Sequence, residues 1–411
     1  MDIQGLIEAA EKVLERNTKT FNGKEIVVPA LRAYPVPYCW DTAFHVMALS
    51  HLNPQKAREN VEALLSLQRK DGLIPNAPLK TADQDLRSQP PIILYAVERY
   101  LDLTGDLESV KRWFPKLVLF YEWWSKWGDP AGSIQGLVAP FSGIRTTTRI
   151  LSSFMNTIRV RRERFACPAV LAICSTGMDN HPIYDFANGR TVKTGKFHYL
   201  ALEDLLLNSA LVAGAEALSK IAKRLGKKEE ARRFNAEREQ KAKLVNLYMW
   251  SEEEGIYFPV DWNGAKIKVK SVQAFATLWA GIPDRKRASK LLLHLNPNEF
   301  WGRYGIPTIA FDDPKHLTPQ PAWMCSKDPY YWRGTIWPPT TVLSFEGLRR
   351  YHRRNLAREL ALKWMELVEK SGFAEYFYPD GRPGRANPEE FGWTAAATIY
   401  MAKEVLVSQA P

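Results

Sequence analysis

The feature that most constrains this chain is a strict alternation of two kinds of helical segment. Six segments, near residues 2–16, 54–70, 107–127, 228–248, 284–295 and 354–371, are apolar on one side and heavily charged on the other, the pattern of a helix with one wet face. Six more, near residues 41–52, 88–104, 200–225, 270–281, 334–351 and 391–407, are apolar almost all round; Thr394-Ala395-Ala396-Ala397-Thr398-Ile399-Tyr400-Met401 shows the type. A helix that is apolar on every side belongs inside other helices. The two kinds alternate from a wet one onward, which is what an outer ring of six helices wrapped antiparallel around an inner ring of six requires. The expected fold is all-α: an (α/α)6 toroid, one domain over residues 1–411, with short strands at 255–260 and 373–377 in its loops. A two-domain helical solenoid is the competing architecture, and no fixed-period repeat supports it.

Composition removes several classes of function. The chain begins Met1-Asp2-Ile3-Gln4 and passes directly into an amphipathic pattern, without the basic start and apolar stretch of a secretory signal. No apolar run reads as long enough to cross a bilayer, so the expectation is a soluble, cytoplasmic protein with no membrane partner. Cys39, Cys167, Cys174 and Cys325 lack any metal-binding spacing, which argues against a disulfide framework or a structural metal and for buried thiols. The formal charge of +11 hints at nucleic acid, yet no basic helix stripe or RNA-binding signature accompanies it. Much of the excess is local: Arg145, Arg149, Arg159, Arg161, Arg162 and Arg164 face only Glu163. No nucleic-acid partner and no cofactor are expected, and homo-oligomerisation stays open.

In a double ring, the connections from outer to inner helices all emerge at one end, at the N-termini of the inner helices. Here they are the long ones, and long loops in a compact domain usually carry function. They contain Tyr34-Pro35-Val36-Pro37-Tyr38-Cys39-Trp40-Asp41-Thr42-Ala43-Phe44-His45, Ser88-Gln89-Pro90-Pro91, Ser175-Thr176-Gly177-Met178-Asp179-Asn180-His181-Pro182, Tyr330-Tyr331-Trp332-Arg333-Gly334-Thr335-Ile336-Trp337-Pro338, Phe373-Ala374-Glu375-Tyr376-Phe377 and Phe391-Gly392-Trp393-Thr394. Aromatic rings mixed with carboxylates, amides and arginine suit a sugar, whose C–H faces pack on rings while its hydroxyls need fixed hydrogen-bonding groups. Core packing is the alternative for Trp40, Trp332, Trp337 and Trp393.

These motifs, in this order over nearly the whole chain, resemble glycoside hydrolase family 63 and its bacterial and archaeal relatives, especially the mannosylglycerate and glucosylglycerate hydrolases. The resemblance implies an inverting enzyme in which Asp179 protonates the glycosidic oxygen and Glu375 activates water. Inversion needs one protonated and one ionised carboxyl group roughly 6.5–9.5 Å apart. It also implies that Tyr34, Trp40, Asp41, Gln89, Trp332, Arg333, Tyr376 and Trp393 bind or shape the sugar site. The residues themselves leave alternatives open: a turn at Asp179-Asn180, a solvated strand face at Glu375, a carboxylate answering a helix dipole at Asp41, a helix cap at Gln89, and a structural ion pair at Arg333.

Two features depart from the family pattern. About thirty residues, over roughly 141–174, are inserted before the Asp179 motif and hold the arginine cluster; a surface loop is expected there. His181 stands where a small residue is common, and the lone histidines His45 and His181 are left out of the site. The family covers α-glucosides and α-mannosides, including glycerate conjugates, for whose carboxylate Arg32, Arg87, Arg382 and Arg385 are candidates. Trehalose or a short α-glucan suits the same carboxylate pair. An epimerase depending on His45, His181 and His198, and a non-catalytic carbohydrate-binding toroid, are the rivals from other classes.

Overall fold

The computed structural model describes residues 1–76, 88–127, 147–149, 173, 176–187, 192–194, 197–199, 202–261, 264–324, 326–387 and 389–407. Within them lie twelve α-helices: α1 Ile3–Arg16, α2 Cys39–Leu52, α3 Pro54–Ser66, α4 Ile93–Thr104, α5 Leu107–Trp127, α6 Leu205–Arg224, α7 Lys228–Tyr248, α8 Gln273–Trp279, α9 Arg285–Leu292, α10 Pro338–Arg350, α11 Arg354–Ser371 and α12 Gly392–Val407. Their limits follow local chemistry. Asp2, Asn53, Asp204 and Asp284 cap α1, α3, α6 and α9 by accepting a first-turn N–H, and Gly105, left-handed at φ 70°, closes α4. The expected helix near 88 begins instead at Ile93, because Pro90 and Pro91 hold the preceding chain outside it.

The two sequence classes separate in space. Every residue of α2 from Cys39 to Ser50 is buried, as is α10 from Pro338 to Leu348, whereas α7 buries only Phe234, Ala242 and Val245. The all-apolar helices contact one another in a closed sequence: α2 with α4, α4 with α6, α6 with α8, α8 with α10, α10 with α12, and α12 back to α2. The amphipathic helices lie against them, α1 on α12, α3 on α2, α5 and α7 on α6, α9 on α8, and α11 on α10 and α12. One contiguous apolar cluster extends from Leu6 to Val405.

Short antiparallel pairs occupy some connections. Thr18–Phe21 (β1) and Lys24–Val27 (β2) form a hairpin whose turn residues Asn22 and Gly23 both have positive φ, as a two-residue Asn-Gly turn demands. Three more strands, Thr147–Arg149 (β3), Val192–Thr194 (β4) and Phe197–Tyr199 (β5), associate in the order β3-β5-β4. Leu202–Glu203 pairs with Val260–Asp261, and Trp250–Ser251 with Ile256–Tyr257. The strand expected at 373–377 reduces to isolated bridges from Phe377 to Ile336 and to Pro383, since Glu375 and Tyr376 turn into a packed aromatic cluster. A second correction concerns α6: its 20 residues are long and apolar enough to cross a membrane by length and composition, and 83% of that window is buried inside the fold. The insertion expected over about 141–174 lies outside the described residues except for Thr147–Arg149 and Ile173, as do Arg87, Cys167, Cys174 and Cys325.

The core helices approach closely where a glycine allows it. A Cβ built on Gly347 of α10 meets Leu278 Cβ of α8 at 2.7 Å and the Trp279 amide nitrogen at 2.9 Å. Gly347→Ala is therefore expected to force α8 and α10 apart at a cost of about 1–3 kcal/mol, read as a lower urea midpoint. An unchanged midpoint contradicts the packing described.

Candidate active site

The aromatic-rich connections converge on one cavity of about 360 Å³. Trp40 and Asp41 reach it from the first turn of α2, Gln89 from the segment before α4, Trp337 from the N-cap of α10 and Trp393 from the first turn of α12. Gly177 and Asp179 enter from the loop ahead of a 3₁₀ turn at Pro182–Ala187, and Tyr331, Trp332 and Glu375 from two further loops. The two carboxylates, 196 residues apart in sequence, thus line the same space.

Glu375 is 2% exposed. Its Oε1 accepts the Tyr331 hydroxyl at 2.5 Å, while its Oε2 is buried with no hydrogen-bond partner among the described residues. Burial pushes the Glu375 carboxyl up to about 8; the Tyr331 hydrogen bond and the charge of Lys327 pull the other way, and the charge of Asp179 adds to the rise. The influence of Asp179 on Glu375 is the electrostatic signature of two carboxylates serving one site. Asp179 is half-buried, and Asp41, 4% exposed, is raised well above the carboxylate range first by burial and then by Glu375.

A continuous aromatic wall fixes these groups. Trp332 stacks on Trp337 with centroids 3.6 Å apart, and Trp337 stacks on Tyr376 at 4.7 Å. Tyr331 packs edge-on against both Trp337 and Tyr376, and the Trp393 indole N–H donates to the Glu375 carbonyl at 2.9 Å. Trp40 lies against Trp332 and Trp393. Gly177, at φ 80°, lets the Asp179 loop approach: a Cβ there meets the Trp40 ring at 2.7 Å. Gln89 lines the cavity, and its Oε1 accepts the Trp40 backbone N–H in the first turn of α2 at 3.1 Å.

Of the residues expected from sequence, Asp179, Glu375, Tyr34, Trp40, Asp41, Gln89, Trp332 and Trp393 line the cavity. Arg333 does not. It is 1% exposed, forms a two-pronged ion pair with Asp185, and donates to the carbonyl oxygens of Asn180 and Thr318. This is the structural ion pair, and it ties the Asp179 loop to the Trp332 loop. Tyr376 also stays behind the wall, its hydroxyl donating to Asp328. His181 is a buried joint, Nε2 on Ser271 Oγ and Nδ1 accepting the Ile183 N–H; neither it nor His45 lines the cavity. The His198 side chain lies outside the described residues. Arg32, Arg382 and Arg385 are exposed and outside the lining, and Arg382 is engaged by Asp380. Trp337, weighed between sugar and core packing, lines the cavity, and the sequence reading did not single out Pro29, Tyr38, Asn76, Gly177, Tyr331 or Phe391 as lining residues. All but Pro29 and Asn76 sit inside the motif loops, where position beside the aromatic residues was the available signal. Among the described residues, no group of three His, Cys, Asp or Glu side chains is arranged to hold a metal.

Comparison with known proteins decides the family. The model of the mannosylglycerate hydrolase MGH1-like glycoside hydrolase domain matches residues 34–394. The chain belongs to that family of glycoside hydrolases. Among its relatives is a mannosylglycerate hydrolase of Rubrobacter radiotolerans, 25% identical over 98% of both chains. Human trehalase is 24% identical over 94% of this chain and 68% of its own length. A solved mannosylglycerate hydrolase of Thermus thermophilus, in complex with Tris and D-glycerate, superposes with a TM-score of 0.74 at 23% identity, covering 96% of this chain and 99% of its own.

The raised Glu375 carboxyl predicts a pH-dependent stability penalty in this glycoside hydrolase. Because the folded value lies above the ordinary one, the group favours the folded state below its unfolded pKa of 4.5, and that contribution is lost as pH rises through about 8. Glu375→Gln cannot ionise. Its thermal midpoint should match the wild type below the unfolded value and exceed it increasingly up to alkaline pH; parallel profiles contradict the assignment.

Proposed function

We propose that this protein is an inverting α-glycoside hydrolase in which Asp179 donates a proton to the glycosidic oxygen while Glu375 takes one from the attacking water. The single observation that carries this reading is the state of Glu375: one oxygen tethered by Tyr331, the other unpartnered, in a cavity shared with Asp179. Glu375 lines the cavity beside Asp179, and the high proton affinity of its carboxyl makes it an effective base once ionised. Asp179, less buried, stands towards the rim where the aglycone departs. In the reaction the bond from anomeric carbon to leaving oxygen breaks, water attacks the opposite face, and the two protons end on the leaving alcohol and on Glu375.

The closed sequence of core-helix contacts supports a single (α/α)6 toroid over residues 1–411, with the cavity at the N-terminal ends of its inner ring. A hexose α-linked to a small acid such as glycerate is the substrate class we favour. The matching relatives are mannosylglycerate hydrolases, a solved relative holds D-glycerate, and the exposed Lys327 carries a positive charge whose field reaches Glu375. The cavity suits one sugar ring and a short aglycone better than a polymer.

One observation favours a second reading in which the roles are exchanged. A carboxyl raised to about 8 keeps its proton at neutral pH and is fitted to act as the acid. A glycosyl fluoride separates the two, since fluoride leaves without a proton donor. Asp179→Asn should turn over the α-fluoride of the preferred sugar at close to the wild-type rate, while Glu375→Gln should lose about 10²–10⁴-fold in kcat; the reverse pattern exchanges the roles. Substrate and stereochemistry are tested by following mannosylglycerate, glucosylglycerate, trehalose and maltose by NMR. The first sugar released from the glycerate conjugate should be the β-anomer, and an initial α-anomer overturns inversion.

A further inference from the structure

Resting on the proposed role of Asp179 as a catalytic carboxylate, we infer that Asp185, which is outside the cavity lining, is a positioning residue that acts on Asp179 through Arg333. Asp179 reaches the cavity from a loop, and the 3₁₀ turn at Pro182–Ala187 that follows this loop carries Asp185.

Arg333 has an acceptor for each of its five side-chain N–H donors. Nε donates to the Thr318 carbonyl at 2.6 Å; Nη1 donates to the Asn180 carbonyl and to Asp185 Oδ1, both at 2.9 Å; Nη2 donates to Asp185 Oδ2 at 2.8 Å and to Thr318 Oγ1 at 3.2 Å. Five donors in one plane are the full capacity of a guanidinium. A group saturated in this way has one position and one orientation relative to the segments it joins, and the two-pronged pair with Asp185 sets that orientation. Stability alone does not account for the arrangement, because a buried ion pair is often worth no more than apolar side chains of the same volume. What the pair does fix is the backbone next to Asp179.

Asn180 passes the constraint on. Its carbonyl is held by Arg333, its Nδ2 donates to Gln320 Oε1 at 2.9 Å, and its Oδ1 accepts the Trp332 N–H at 2.8 Å. Glu375 is held by different groups, the Tyr331 hydroxyl and the Trp393 indole N–H. The stack of Trp332 on Trp337 has its own anchor, the Trp337 indole N–H on the Tyr331 carbonyl at 2.9 Å. Loosening Asp185 should therefore misplace one carboxylate and leave the other, and the aromatic wall, where they are.

The test compares two substrates of the same sugar: the glycoside turned over fastest among mannosylglycerate, glucosylglycerate, trehalose and maltose, and the α-fluoride, whose leaving group needs no proton. Asp185→Asn removes the charge of the pair and one acceptor. Its selectivity should copy that of Asp179→Asn. On the glycoside kcat should fall by about tenfold or more, within what a misplacement of about 1 Å can cost, while KM and the rate on the α-fluoride stay within about twofold of the wild type. Asp185→Glu keeps the charge and shifts the pair by a methylene; the same selectivity is expected of it, and it keeps the test decisive if Asp185→Asn does not fold. Lys315→Met, which removes the second and more exposed cation paired with Asp185, should behave as the wild type on both substrates. Equal losses on both substrates, a selectivity that follows Glu375→Gln instead of Asp179→Asn, or no loss at all overturns the positioning role. If Asp179→Asn itself loses the α-fluoride, the assignment of acid and base fails, and the positioning role stands only if Asp185→Asn loses it too.

Discussion

The structure of the catalytic end depends on keeping one carboxyl group, that of Glu375, out of water and only half satisfied. Burial and the charge of Asp179 raise its proton affinity, the hydrogen bond from Tyr331 and the charge of Lys327 oppose them, and burial prevails. A buried acid with a bare oxygen is costly to a folded protein. It persists because the surroundings are stiff: the Trp332, Trp337 and Tyr376 rings form a single stack, the Trp393 indole N–H holds the Glu375 backbone, and Trp337 anchors the Tyr331 carbonyl. Strain held locally by rigid neighbours is the common condition of a catalytic group.

The helices supply the rigidity. The core helices α2, α4, α10 and α12 each begin at a segment that lines the cavity, so those segments inherit fixed anchor points. The Asp179 loop is held from both sides, by the close approach of Gly177 to Trp40 and by Arg333, which bridges Asn180 and Asp185. The Asn180 side-chain amide donates a hydrogen bond to Gln320 Oε1, and its Oδ1 accepts the Trp332 N–H. Loss of Arg333 would therefore act on the position of Asp179 rather than on the cavity lining itself.

The helical framework was legible in the sequence because all-apolar and half-apolar segments differ in a property that burial enforces directly. The cavity was legible because its residues arrive in loops dense in tryptophan and carboxylate. What escaped was decided by partners remote in the chain. Nothing local to Arg333 reveals that Asp185, 148 residues earlier, takes its guanidinium, and nothing near Tyr376 distinguishes stacking behind Trp337 from facing a sugar. The strand pattern at Phe373–Phe377 was real as an alternation, but only Phe377 found partners, in isolated bridges to Ile336 and Pro383. Start positions slipped where proline overrode an apolar run, as before Ile93.

The most direct test of the account is to observe the ionisation of Glu375 itself, by ¹³C NMR of carboxyl-labelled glutamate with the signal assigned through Glu375→Gln. The account predicts a titration midpoint near 8 in the ligand-free protein, moving down in Asp179→Asn and up in Tyr331→Phe. A midpoint at the ordinary value for glutamate, indifferent to both substitutions, would contradict it.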